Sequence, residues 1–138
     1  MKLMFDIEPV HQARPRATTR NTGGTHARLY DPPKVKSFKT QLQYLAKAKR
    51  IQRFNDSIEV SLKFYRRVQD SVSHIEHDRR ISGVHRPTVK PDVDNYIKAT
   101  LDALNGIIWK DDAQIVTLHA AKYYSDHPRI EMEIEVLK

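Results

Sequence analysis

The sequence predicts an α+β fold, about a four-stranded mixed sheet with two helices packed on one face. Strand-like segments with side chains alternating in and out recur along the chain, and two segments instead carry helical spacing. Their order is β, basic loop, α, β, long loop, α, β, β, and layering is the economical way to bury all their apolar faces. The 138 residues suit one domain over 1–138. A chain of this size hides roughly two-thirds of its unfolded surface.

Leu3, Phe5 and Ile7 alternate with Lys2, Asp6 and Glu8, which predicts a half-buried strand ended by Pro9. Residues 11–28 are almost devoid of apolar side chains and contain Gly23-Gly24, so they are expected to form a loop or mobile hairpin. Asp31-Pro32 is a helix-start signal, with Asp31 placed to cap the free N–H groups. Val35, Phe38, Leu42 and Leu45 then mark one helical face running to about Arg50. Ile58, Val60, Leu62 and Phe64 alternate with polar residues as a strong strand. Residues 67–89 are polar and are read as a long flexible loop. A second helix spans 92–105, with Val93, Ile97, Leu101 and Leu104 on its apolar face and Asn105-Gly106 at its end. Ile107, Ile108 and Trp109 are expected to return as extended, buried chain. Strands follow over 114–124 and through Ile130, Met132, Ile134 and Val136.

Charge divides the chain. Residues 1–91 hold 19 Lys and Arg against 8 Asp and Glu, and residues 92–138 hold 5 against 9, for a net charge of +7. A basic surface holds phosphates by neutralising them and releasing counterions, and clustered acids hold divalent metal. Cysteine is absent, which excludes a disulfide framework and thiolate metal sites. No stretch approaches the roughly 20 apolar residues of a membrane span. The N-terminus reads as a strand rather than a signal peptide, so the cytoplasm is the expected location. Phosphate loops, dinucleotide fingerprints, HExxH and GxSxG are missing.

Lys90-Pro91-Asp92-Val93-Asp94 holds the first candidate chemistry. Two neighbouring carboxylates repel, and a hard divalent cation relieves that repulsion. Helix capping explains the same acids, because the helix dipole favours them there. Asp111-Asp112 is either a polar turn or the rest of a metal site. A helix over 92–105 is roughly 20 Å long, and an extended return over 106–112 covers about 23 Å. Asp112 can therefore come back beside Asp92 and Asp94, or a partner subunit can supply it. Lys98, four residues after Asp94 and four before Asp102, either forms helix ion pairs or stabilises charge on a phosphate. Asp102 is read as structural. His74, His77 and His85 have a spacing that zinc tolerates but no rigid frame, and His119 is expected to be a packed side chain. Arg14, Arg16, Arg20 and Arg28 populate the basic loop, where planar guanidinium forks suit phosphate.

Lys90-Pro91-Asp92-Val93-Asp94-Asn95-Tyr96-Ile97-Lys98, then Asp102-Ala103-Leu104, then Asp111-Asp112-Ala113-Gln114, resembles the RusA family of Holliday junction resolvases, common in phages and prophages. Arg14-Pro15-Arg16 and Tyr30-Asp31-Pro32 resemble that family's N-terminal part. The resemblance implies an α+β homodimer using Mg²⁺ or Mn²⁺, with branched DNA and four-way junctions as partners and no membrane. It places the metal carboxylates on Asp92, Asp94 and Asp112, the catalytic lysine on Lys98, and a neighbouring acid on Asp111. The implied activity is paired phosphodiester hydrolysis in DNA recombination and repair. A broader flap or fork nuclease and a non-catalytic nucleic-acid-binding module are the rival readings. The chain departs from the pattern in its long 67–89 segment. Where some members have a dense basic run, it has only Lys90, which joins the arginines as a DNA contact.

Overall fold

The computed structural model describes residues 1–14, 16–18 and 28–137, the side chains of Arg16, Thr18 and Arg28 excepted. Its elements are β1 (Lys2–Phe5), β2 (Arg16–Thr18), β3 (Arg28–Tyr30), α1 (Pro33–Ala48), β4 (Ile58–Arg67), α2 (His74–Ile81), α3 (Val93–Leu104), a 3₁₀ turn (Asp112–Gln114), β5 (Ile115–Ser125) and β6 (Arg129–Val136). The main sheet is mixed, in the order β1-β6-β4-β5. β4 pairs antiparallel with β6 and parallel with β5, so the connection from β4 to β5 must cross over, and it carries α2 and α3. β2 and β3 form a separate two-stranded ribbon at the base of the basic loop, with Arg16 opposite Tyr30 and Thr18 opposite Arg28.

The core follows the alternation in the sequence. Ile58, Val60, Leu62 and Phe64 of β4 and Ile130, Met132 and Ile134 of β6 are buried at every second position, so each strand offers one face. Phe38, Leu42 and Ala46 of α1 and Tyr96, Ala99, Ala103 and Leu104 of α3 join the same cluster. Burial of each large apolar side chain contributes about 1.5–3 kcal/mol. No helix among the described residues is long and apolar enough to cross a membrane.

Among the described residues the α-helices number three, not two. Residues 67–89, expected as a loop, contain α2, whose Ser73 hydroxyl accepts from the Glu76 N–H as an N-cap. Gly83, at φ +85°, ends it in a backbone conformation that costs a side chain dearly. The helix escapes hydrophobic periodicity because it buries none of its residues. Its attachment is polar: His77 Nε2 meets Asp126 at 2.8 Å, and Arg80 stacks over the Tyr124 ring at 4.7 Å.

Two smaller expectations change as well. Asp31 does not cap α1. Its carboxylate instead accepts from Gln12 Nε2 at 2.9 Å and Lys39 Nζ at 2.8 Å. His119 is exposed rather than packed, because its parity puts it opposite Ser61 on the face away from the core, 3.1 Å from Glu59.

Candidate active site

Asp92 stands at the N-cap position of α3, yet its side chain caps nothing. Both its oxygens accept instead from Lys90 Nζ, each at 2.9 Å. That bond, helped by the charge of Lys122, holds the Asp92 carboxyl below the usual range and raises the Lys90 ammonium. The turn before the helix is held from below. Arg66 Nη1 donates to the Lys90 carbonyl at 3.0 Å, and Lys122 Nζ donates to the carbonyls of Val89 and Pro91 at 3.2 and 3.0 Å. Arg86 Nε in turn donates to the Lys122 carbonyl at 3.1 Å. The C-terminal ends of two parallel strands thus fix where Asp92 points.

Arg66, Lys122 and Arg86 were not singled out by sequence reasoning. A signal existed for two of them. Arg66 continues the inward parity of Val60, Leu62 and Phe64, and Lys122 that of Leu118 and Ala120. A cation on the apolar parity of a strand end needs an acceptor there, and the turn carbonyls supply it.

Asp94 and Lys98 are exposed one turn apart on α3. Of the two readings of Lys98, the row of ion pairs through Asp94, Lys98 and Asp102 is absent among the described residues. Asp102 sits 3.6 Å from Lys39. The charge of Lys98 reaches Asp31, whose carboxyl is lowered chiefly by its bond to Lys39.

Asp112 lies at the other end of α3. Its Oδ2 is 3.5 Å from Nδ2 of Asn105, the residue that closes the helix. Thirteen residues of helical rise separate Asn105 from Asp92, about 20 Å. The return over 106–112 is not extended. Gly106 N bonds Trp109 O at 2.7 Å, and Ile107 N and Ile108 N both bond Leu104 O. The chain turns on itself there because Ile108 and Trp109 bury their side chains under the end of the helix, with Trp109 Nε1 donating to Asn105 Oδ1 at 2.7 Å. Asp111 follows, its N–H and that of Lys110 both held by Gln114 Oε1. Gln114 Nε2 anchors this corner to the carbonyls of Phe54 and Asp56. Within one chain, then, Asp92 and Asp94 stand together while Asp111 and Asp112 stand apart from them. Among the described residues no three acidic or histidine side chains converge as a metal-holding group.

The donors themselves suit a hard divalent cation. Asp92 is free of capping duty, and an ammonium already occupies both its oxygens in the manner of a cation. Two carboxylates are half a site. His77 and His85 are engaged elsewhere, with Asp126 and with Glu76 at 2.8 Å. Of the basic-loop residues, Arg14 is exposed beside the base of the ribbon. Arg16 and Arg28 lie in β2 and β3 by backbone, their side chains outside the description, and Arg20 lies outside the described residues.

The mixed sheet thus clamps a paired-acid turn beside the cations Lys90, Arg66 and Lys122. Comparison with known proteins gives the class. The model of the family "Endodeoxyribonuclease RusA" matches residues 6–135. The chain is also 43% identical over 130 residues to the uncharacterized protein YqaN of Bacillus subtilis (strain 168), covering 92% of this chain and 89% of that one. The chain belongs to the RusA endodeoxyribonuclease family.

Proposed function

We propose that the chain is a Mg²⁺- or Mn²⁺-dependent endodeoxyribonuclease that resolves four-way DNA junctions as a homodimer, in recombination and repair. The observation that carries this reading is the separation of the acids along α3. A two-fold axis across the middle of that helix sets two copies antiparallel. Asp92 and Asp94 of each copy then meet Asp112 of the partner subunit, with Asp111 of the partner subunit adjacent. Half-buried Val93, Ile97 and Leu101 line α3 between the two ends, and exposed Val116 and Leu118 line the edge strand β5, which α3 contacts. Apolar surface of that kind, at 61% exposure for Val116, is what a subunit interface covers.

A bound divalent ion would polarise the scissile phosphate and lower the pKa of a coordinated water. The chain's own groups do the rest. Asp92 and Asp94 would hold the ion, and Lys90, whose ammonium now occupies both Asp92 oxygens, would then be free to meet the DNA backbone. Lys98, exposed one turn further on, faces the negative charge that builds on the phosphate. Arg66 and Lys122 keep the turn from shifting. Two sites at opposite ends of one helix pair suit the paired, symmetric nicks that junction resolution needs.

The test mixes two variants on a synthetic four-way junction with Mg²⁺. Asp92→Asn and Asp112→Asn alone are expected to be inactive. In a mixed dimer with shared sites, one site loses both acids and the other keeps both, so nicking returns. If the mixture stays as inactive as its components while wild type cuts, the shared site is wrong. Wild type that leaves junctions intact but cuts flaps or forks, or that binds DNA without cutting, would favour the rival readings.

A further inference from the structure

A second polar feature lies against the same turn. A cleft of about 600 Å³ opens between the exit from β1, the first turn of α1, the end of β4 and the segment leading into α3. His11, Lys34, Arg66 and Lys90 line it, with one carboxylate, Glu8. We propose that this cleft is a phosphodiester-binding subsite, which seats the sugar–phosphate backbone of the strand being cut, beside the scissile phosphate. The proposal rests on Asp92 and Asp94 as the cation site described above, because Lys90 is shared between that site and the cleft.

The lining selects an anion. Three permanent cations face one acid, with His11 beside them as a further hydrogen-bonding group. Arg66 spends one N–H on the Lys90 carbonyl and keeps the remaining donors of its fork. Tyr96 lines the cleft as well, its ring buried and stacked on Phe64 at 5.3 Å. The remaining walls are largely apolar, from Pro9, Val10 and Pro91, with the polar Asn95 beside them. Cations over an apolar lining suit a sugar linked to phosphate better than a bare phosphate ion, and the volume lies in the range of pockets that hold small organic ligands.

The cleft is built rather than incidental. Gln12 N donates to Asn95 O at 2.9 Å, tying the wall that carries His11 to the first turn of α3. The Gln12 side chain, itself buried, donates to Asp31, which also holds Lys39 of α1. Three elements are therefore locked around the opening. The wall that carries His11 continues three residues on to the exposed Arg14.

The experiment measures binding of a fluorescein-labelled four-way junction in EDTA, so that cutting does not intrude, over a series of KCl concentrations. Lys34→Ala removes an exposed cation and leaves the core untouched. It is expected to weaken binding and to reduce the slope of log K against log salt by about 0.9, one phosphate contact. Glu8→Gln removes the opposing charge and is expected to tighten binding. Lys47→Ala, at the far end of α1, serves as the control for a general loss of positive charge. Equal losses in Lys34→Ala and Lys47→Ala, or no gain in Glu8→Gln, would overturn the subsite. Because the readout is metal-free, failure of the cleft leaves junction cutting by wild type intact, and failure of the nuclease reading leaves the binding result standing.

Discussion

Asn105 joins the fold to the candidate chemistry: its Oδ1 accepts from the Trp109 indole at 2.7 Å while its Nδ2 lies 3.5 Å from Asp112 Oδ2. One side chain thus satisfies a buried donor and steadies an acid proposed for the metal.

Asn105→Ala should therefore act on both. It strands the Trp109 N–H in a fully buried setting, at a cost of about 1–3 kcal/mol. The midpoint of thermal unfolding is expected to fall by several degrees, roughly 2–8 °C for each kcal/mol in a chain of this class. Calorimetry reads that loss, and nicking at a temperature where the variant is folded reads the effect on Asp112.

Lys122→Met tests the clamp beneath Asp92. The substitution keeps the stem of the side chain and removes the donor to Val89 O and Pro91 O. Small displacements of a reacting group are costly, so the cleavage rate is expected to drop by about tenfold to a hundredfold. Junction affinity in EDTA should change far less. A rate equal to wild type would show that the turn holds itself.

Lys90→Ala removes the ammonium that competes for Asp92. Half-saturating Mg²⁺ in the nicking assay is expected to fall, while affinity for DNA also falls. An unchanged Mg²⁺ requirement would mean that the ion does not displace Lys90.

His77 gives α2 a pH dependence. Its pKa is raised, first by its bond to Asp126 and then by Asp78. A raised folded pKa means that the stabilisation is full below the unfolded value, near 6.5, and is lost as pH rises through the folded value. Protection factors for the α2 amides, measured by hydrogen exchange, should decline over that interval and level off above it. In His77→Gln the same amides should show no such step.

Strand and helix faces were legible because burial repeats along them. The inward row of β4 could be read residue by residue, whereas of the line expected on α3 only Leu104 is buried. Val93, Ile97 and Leu101 stay half-buried, and Tyr96, Ala99, Thr100 and Ala103 form the buried face instead, a face of small and polar side chains that carries little hydrophobic signal. The acids Asp92 and Asp94 were legible as a pair because they are neighbours. The location of Asp112 was not, because an extended chain and a tight turn have the same composition and differ only in where Ile108 and Trp109 find cover. Helix α2 was hidden for the opposite reason. It has a cap, Ser73, and a terminating Gly83, but no buried face to produce a period. Arg66 and Lys122 carried a signal in their inward parity, but not one that named their acceptors, which are backbone carbonyls that every residue has.

The order β1-β6-β4-β5 carries a consequence for how the chain comes together during synthesis. β4 finds both its neighbours, and β1 its single neighbour, only in β5 and β6, near the end of the chain. Until Arg129–Val136 has emerged, the first strand has nothing to pair with, and a ribosome-bound chain stopped at Gln114 has no main sheet at all. Nearly every sheet contact is long in sequence, which favours slow, late consolidation. Loss of the last strand would therefore disband the architecture that positions Asp92, although no residue of that strand approaches it in sequence.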